Sequence, residues 1–109
     1  IPSNRWRGAQ TFFPPNNEES RKLAELIQGE IRHSLQNTQR LAKTEDTIYL
    51  LQALRMPAAL VEVGFLSHPE ESDLLRDEKY QRKVAAAVYN GILRYTAGES
   101  PSESSQAAE

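Results

Sequence analysis

One carboxylate stands out in this sequence because it falls inside an apolar run. The run extends from Ala58 to Phe65, and Glu62 is the charged residue within it. Its length and composition predict a strand that is buried on both faces of a sheet. A carboxylate in an unpaired buried site is costly, and burial raises a carboxyl pKa towards neutrality. Such a group suits general acid–base chemistry, so Glu62 is the candidate catalytic residue.

The same pattern allows a structural role for Glu62. The residue could lie at the end of its strand and face solvent, or it could pair with Arg55 or Lys43. Perturbed carboxylates are often structural. Gly64 favours the catalytic interpretation, because a glycine near the C-terminal end of a strand permits close approach of a ligand. Ligands of open parallel sheets bind at that end of the strands.

The other side chains that could do chemistry have weaker contexts. His33 falls on the polar flank of a predicted helix, and His68 falls in a predicted turn, so both are predicted to be ordinary solvated or loop residues. They are not spaced as a helical HxxxH or HExxH pair, and a self-contained zinc site is not expected. Trp6, between Arg5 and Arg7, could contact a sugar or a phosphate, although such a residue more often covers the edge of the core.

Two long amphipathic helices and two strands must position these side chains. Ala9–Phe13 is predicted to be a strand. The first helix is predicted over Glu18–Asn37 with Asn17 as its N-cap. The second begins after the capping residue Asp77 and ends before Gly98. Its apolar stripe consists of Tyr80, Val84, Val88, Ile92 and Tyr95.

The order of strand, long helix, strand and long helix predicts an α/β fold. Parallel strands need a crossover, which is usually a helix, so the two strands are expected to pair in parallel. Between the long helices, 38–47 is predicted to be a loop, Ile48–Leu54 one or two helical turns, and Pro69–Leu75 a short helix. Because two-stranded sheets are marginal alone, we expect part of a twisted, mostly parallel sheet with helices on both faces, incomplete in this chain.

Composition sets the domain boundaries. Residues 1–97 form one predicted domain, and 98–109 is a Ser- and Glu-rich segment with no large apolar side chain, so it is predicted to be a disordered tail. Because the chain opens on Ile1 and not on methionine, we expect further residues to precede it in the gene product.

Charge and cysteine content exclude several classes of function. The net charge of −2 argues against a general nucleic-acid binder, which usually carries a basic excess. No segment approaches the roughly 18 apolar residues of a membrane span. The chain has no cysteine, so disulfides and thiolate metal sites are excluded.

Several ordered segments together resemble the amidase-3 type of N-acetylmuramoyl-L-alanine amidase. The most specific is the stretch Pro57 to Ser67 with its sequence PAALVEVGFLS, which is similar to the family signature around the catalytic glutamate. Further similarity lies in Gly8–Phe13, in Ile48–Leu51 and in the terminal helix. Ile1-Pro2-Ser3 and Gly91–Tyr95 resemble the spore-cortex members of this family. The chain would then be the C-terminal half of the catalytic domain.

The resemblance implies a peptidoglycan hydrolase that cleaves the amide between N-acetylmuramic acid and L-alanine. Zinc would be held by a His, a Glu and a second His that lie upstream of Ile1, would polarise the carbonyl and would activate water. Glu62 would take the proton of that water and pass one to the leaving amine. No metal ligand is expected in this chain, no zinc is expected for the chain alone, and no substrate-binding residue is assigned.

The resemblance also implies partners and a location. Peptidoglycan is the expected substrate, nucleic acid and a membrane span are not expected, and protein partners are not assigned. The implied location is extracytoplasmic, at the cell wall, and in its narrower form the forespore intermembrane space during cortex maturation. The alternative to an enzyme is a non-catalytic cell-wall binding or regulatory module with the amidase fold.

Overall fold

The computed structural model describes residues 8–65 and 67–107. Trp6 and the segment 1–3, to which the sequence analysis gave candidate roles, lie outside the described residues. Among the described helices, none is long and apolar enough to cross a membrane. The elements in chain order are β1 Gln10–Phe13, α1 Glu18–Leu35, β2 Lys43–Thr44, α2 Tyr49–Ala53, β3 Leu60–Glu62, α3 Pro69–Arg76, α4 Glu78–Thr96 and a 3-10 helix Glu103–Ser105.

Local capping signals define the ends of the two long helices. Asn17 Oδ1 accepts a hydrogen bond from the Ser20 amide at 3.0 Å, and Asp77 Oδ1 accepts one from the Lys79 amide at 2.9 Å. Both carboxamide and carboxylate caps satisfy amides that the helix leaves unpaired. At the other end of α4, Gly98 adopts a φ of +80°, which closes the helix as its sequence position predicts. The predicted caps are confirmed.

The sheet has the strand order β2-β1-β3 and is mixed. The α/β class is confirmed, but the expected parallel pairing of the two predicted strands is wrong, because β1 and β3 run antiparallel. The parallel partner of β1 is β2, which has only two residues and lies in the segment predicted to be a loop. The α1 crossover therefore ends at β2, and the chain reverses direction through the segment that contains α2 before it forms β3.

The predicted buried strand Ala58–Phe65 contributes only three residues, Leu60–Glu62, to the sheet. On either side of these three residues, a backbone amide donates its hydrogen bond to a side chain. The Ala58 amide donates to Ser20 Oγ at 2.8 Å, and the Phe65 amide donates to Glu71 Oε2 at 3.4 Å. The predicted run is not buried on both faces either, since Glu62 at the strand end is exposed and Phe65 beyond it remains 40% exposed.

The core lies between α1, α4 and β1. Its first cluster contains Ala9, Ile27, Ile31 and Ala87. The two long helices approach so closely that a Cβ added to Gly91 would lie 2.6 Å from Ile27 Cα. This contact rotates α4 relative to the predicted apolar stripe: Ile92 is 43% exposed, and the buried face consists of Tyr80, Val84, Ala87 and Gly91.

A polar network crosses the buried side of β1. The Thr11 hydroxyl donates to Gln28 Oε1 at 2.9 Å, and Gln28 Nε2 donates to the carbonyl oxygens of Ala9 at 2.9 Å and Arg40 at 3.0 Å. Thr11 and Gln28 are completely buried. Because each polar atom of the Gln28 amide has a partner, the network fixes the start of the loop before β2 against α1 and β1.

Residues after α4 lie along α1. Arg32 Nη1 donates to the Ser104 carbonyl at 2.6 Å, and the Ala107 amide donates to Glu25. Glu25 is only 3% exposed in this arrangement. The contacts of this segment are mainly polar, and its disorder in solution stays a prediction.

Candidate functional site

The candidate catalytic residue, Glu62, is the last residue of β3 and is exposed to solvent. The expectation of a buried carboxylate is therefore wrong, because the strand is short and one face of it is open. Its placement matches the alternative interpretation, a residue at a strand end that faces solvent. Among the described residues, however, Glu62 forms no ion pair with Arg55 or Lys43.

Glu62 lies on the face of the sheet opposite α1. Along β1, Thr11 and Phe13 are buried against α1, whereas Gln10 and Phe12 are only partly buried. Side chains alternate between the faces of a strand, so Gln10 and Phe12 point away from α1. The register pairs Gln10 with Glu62, and directly paired residues project from the same face. We call this side of the sheet the open face.

A cleft of about 540 Å³ occupies the open face. Its lining carries two cationic and two anionic side chains together with two aromatic rings and one amide. These residues are Gln10, Phe12, Arg40, Lys43, Glu45, Glu62 and Phe65. The strands and the two flanking loops thus bring Glu62 together with Arg40 and Lys43, which are far from it in sequence.

The charged neighbours of Glu62 differ in how they are held. The Arg40 guanidinium lies over the Phe65 ring, 5.6 Å from its centroid. Glu45 Oε1 accepts hydrogen bonds from the hydroxyl and the amide of Thr47, at 2.6 Å and 3.0 Å. The Thr47 hydroxyl is the main reason that the pKa of Glu45 lies below its usual value. Glu45 therefore stays ionised at neutral pH and already has donors of its own.

A second carboxylate, Glu71, holds the backbone behind the site. It is 5% exposed and accepts hydrogen bonds from the Gly8 amide at 3.3 Å and from the Phe65 amide at 3.4 Å. One oxygen thus accepts from Gly8, two residues before β1, and the other accepts from the loop that follows Glu62. The carboxylate connects α3 to both strands that pair in the Gln10–Glu62 register.

Replacing Glu71 with alanine should destabilise the protein by about 1–2 kcal/mol, because two backbone amides lose their acceptor. Urea unfolding of the purified protein measures this change. Asp73→Ala is the matched control on the same helix: its side chain is 82% exposed, its ion pair with Arg76 spans 3.8 Å, and its loss should stay within about 0.5 kcal/mol. Equal effects of both substitutions would contradict the role given to Glu71.

The two histidines do not join Glu62. His33 is exposed on α1, and His68 precedes α3, where its amide donates to the Phe65 carbonyl and its carbonyl accepts from the Ser72 amide. Within residues 8–65 and 67–107, no group of three or more His, Asp or Glu side chains could hold a metal ion. The described residues therefore do not fit a zinc ion.

Sequence reasoning missed most of the residues around Glu62. Arg40 and Glu71 were not singled out, and Lys43 was considered only as an ion-pair partner. A signal existed for Gln28, since it lies three residues before Ile31 and so falls on the apolar side of α1. No comparable periodicity marks Arg40, because it belongs to a loop.

Comparison with known proteins supplies the context for this site. The protein family described as N-acetylmuramoyl-L-alanine amidase (Amidase_3) matches residues 1–94. The germination-specific N-acetylmuramoyl-L-alanine amidase of Bacillus subtilis is 53% identical over 95 residues, which cover 87% of this chain and 40% of that protein.

Two solved structures share the fold. The CwlD amidase from Clostridioides difficile, solved in complex with the GerS lipoprotein, superposes with a TM-score of 0.82 at 39% identity and covers 91% of this chain. An N-acetylmuramoyl-L-alanine amidase from Clostridium difficile 630 superposes with a TM-score of 0.75 at 29% identity and covers 84%. This chain spans about half of each structure, 51% and 49% respectively.

Proposed function

The chain belongs to the Amidase_3 family of N-acetylmuramoyl-L-alanine amidases, and from that membership we propose that its protein hydrolyses peptidoglycan at the amide between N-acetylmuramic acid and L-alanine. One observation carries the proposal: the Glu62 carboxylate, within the matched region, opens into a cleft large enough to admit a peptide. An exposed carboxylate at this position can reach a substrate.

In this proposal Glu62 acts as a general base and then as a general acid. Its carboxylate takes a proton from the attacking water as the oxygen bonds to the lactyl carbonyl carbon. It then gives a proton to the alanine nitrogen as the carbon–nitrogen bond breaks. The products are the muramic acid carboxylate and a peptide with a free L-alanine amino group. Proton transfer of this kind typically contributes about 10²- to 10⁴-fold to the rate.

Zinc enters the proposal through the family resemblance alone. The described residues do not hold it, and the resemblance puts its ligands upstream of Ile1. We therefore expect about one zinc per chain in a protein that carries the complete amidase domain, and no stoichiometric zinc in the 109-residue chain.

Product analysis tests the proposed activity. A protein with the complete domain is incubated with purified muramoyl peptides, and the products are separated by liquid chromatography and identified by mass. We expect peptides with a new amino-terminal L-alanine, together with N-acetylmuramic acid that has lost its peptide. Cleavage at another bond, or no new L-alanine amino groups, would refute the proposed reaction.

The alternative, a non-catalytic wall-binding or regulatory module, gives a different result in the same experiment. Exposure of Glu62 removes one argument against it, since a solvated carboxylate needs no catalytic reason to persist. Such a module would release no peptide from the muramoyl peptides, and in a separate binding assay it would co-sediment with insoluble peptidoglycan. Release of peptide by the wild-type protein decides for the enzyme.

The proposed location follows from the proposed substrate. A peptidoglycan amidase works outside the cytoplasm, at the cell wall. Similarity to a germination-specific amidase supports the narrower proposal of a role in spore cortex, with the forespore intermembrane space as its site of action. The GerS lipoprotein is bound by the related CwlD amidase, so an envelope lipoprotein is the kind of protein partner that we propose here.

A further inference from the structure

We propose that Arg40 and Lys43 form a subsite that binds a carboxylate of the muramoyl peptide, beside the bond that Glu62 attacks. The inference rests on the proposed function. It specifies which part of the substrate the open face would bind. Three observations support it: the placement of the two cations in the cleft, the way in which Arg40 is held, and the lack of a close ion pair between either cation and a carboxylate of the described residues.

The sheet register determines the distance between Lys43 and Glu62. Lys43 pairs with Phe12, and Glu62 pairs with Gln10, two residues earlier on the same central strand. With strands about 4.8 Å apart and residues about 3.3 Å apart along a strand, the Cα atoms of Lys43 and Glu62 are about 12 Å apart. Both side chains line the cleft on the open face.

Arg40 is held in place from both ends. Its amide donates to Thr38 Oγ1 at 3.0 Å, and its carbonyl accepts from the buried amide of Gln28 at 3.0 Å. At the other end its guanidinium lies 5.6 Å from the centroid of the Phe65 ring. The ring provides no hydrogen-bond acceptor of its own in the plane of the guanidinium, so the planar fork of N–H donors can still bind a ligand.

Neither cation forms a close ion pair with a carboxylate among residues 8–65 and 67–107, although the charge of Lys43 acts on Glu45. Five other described basic residues do form such ion pairs, namely Arg21, Lys22, Arg76, Arg82 and Arg94. Glu45 lines the same cleft, and its Oε1 accepts hydrogen bonds from Thr47. Two cations that lie in one cleft without ion pairs attract an anion and repel other cations.

The chemistry of the proposed substrate supplies that anion. Carboxylates of a peptide attached through L-alanine lie one or two residues beyond the scissile amide, and an extended residue spans about 3.5 Å. A carboxylate in that position would therefore lie several ångströms from Glu62, a distance that the cleft with its two cations can accommodate. The planar guanidinium of Arg40 can bind it with two parallel hydrogen bonds, and Lys43 adds a second charge.

Steady-state kinetics on matched substrates test the subsite. Two muramoyl peptides are compared that differ only in whether the carboxylate next to L-alanine is free or amidated, using a protein with the complete domain. We expect the wild-type protein to prefer the free carboxylate in kcat/KM. Arg40→Ala should reduce that preference by about tenfold, because a charge-assisted hydrogen bond is lost. Lys43→Ala should reduce it less, and Arg40→Lys should restore part of it.

The controls separate the subsite from the proposed reaction. Arg55→Ala removes an exposed cation that does not line the cleft and should leave the preference unchanged. Titration calorimetry of the two peptides with a Glu62→Gln protein gives the same preference as a ratio of Kd values, without turnover. If the wild-type protein cleaves both peptides equally well, the subsite is refuted while the reaction stands. If it cleaves neither peptide, the proposed function fails instead.

A structural role for Arg40 gives a third pattern. Were the guanidinium needed only to hold the Phe65 loop, Arg40→Ala would lower the melting temperature and reduce kcat for both peptides alike. An unchanged ratio between the two peptides, with both rates reduced, would also overturn the subsite.

Discussion

Glu62→Gln should reduce cleavage of muramoyl peptides by about 10²- to 10⁴-fold in a protein that carries the complete amidase domain. Glutamine preserves the size and hydrogen-bonding shape of the side chain, but its amide cannot take a proton from water at neutral pH. The substitution lies at an exposed strand end, so it should leave the fold intact. Loss of activity would then report on proton transfer and not on stability.

Three measurements make this result interpretable. Initial rates give the change in kcat, elemental analysis gives the zinc content, and thermal melting shows whether the fold is retained. We expect zinc to stay near one per chain. Glu45→Gln is the matched control, because it neutralises the other carboxylate of the same cleft. Cleavage at the wild-type rate by the Glu62→Gln protein would remove Glu62 from the mechanism.

Gly91→Ala should lower the free energy of unfolding by at least about 2 kcal/mol, because the helices α1 and α4 meet at this residue. The new Cβ would lie 2.6 Å from Ile27 Cα and 2.9 Å from Ile27 N, which are backbone atoms and cannot rotate away. Alanine is the better helix former by about 1 kcal/mol. Overpacking against a fixed backbone exceeds that gain, since the two helices must separate along their contact.

Urea unfolding of the complete domain measures the effect. Asn90→Ala is the control, since it places the same residue one position earlier, on the exposed side of α4. That variant should be neutral or slightly more stable. If Gly91→Ala were as stable as Asn90→Ala, the close approach of the helices would be contradicted. Gly91→Ser also adds a Cβ at this position, so it should lower the free energy of unfolding as Gly91→Ala does.

The helices could be predicted from sequence because their signals are local. Asn17 and Asp77 are capping residues whose partners lie within three positions along the chain. Gly98 ends α4 through its own backbone conformation. Each of these three helix ends depends on residues that are close in sequence, and the structure confirms the predictions.

The sheet could not be predicted to the same extent because its pairing is not local. Lys43–Thr44 has no strand pattern and pairs only because β1 lies beside it. The length of β3 depends on two donors that are taken by Ser20 and Glu71, residues 38 and 6 positions away. From hydrophobicity alone, the strand was predicted to have eight residues and to bury Glu62. The observed strand is shorter because tertiary hydrogen bonds use the backbone amides on either side of it.

The candidate site likewise combines a residue that local sequence identifies with one that only the fold brings to it. Glu62 was identified because a charge in an apolar run is visible in sequence and because the surrounding stretch resembles a family signature. Arg40 joins it only through the fold, by way of a loop that Gln28 ties to the back of β1. A loop residue has no periodicity from which its neighbours can be deduced.

The buried bonds of Gln28 constrain how this sequence can change over evolutionary time. Gln28 satisfies a side chain and two backbone carbonyls at once, at a position with no solvent exposure. An apolar residue at position 28 alone would orphan the Thr11 hydroxyl, and an apolar residue at position 11 alone would leave Gln28 Oε1 without its donor. The two positions are therefore epistatic: natural variants should retain both residues or replace both in one lineage, and the loop that carries Arg40 is inherited with them.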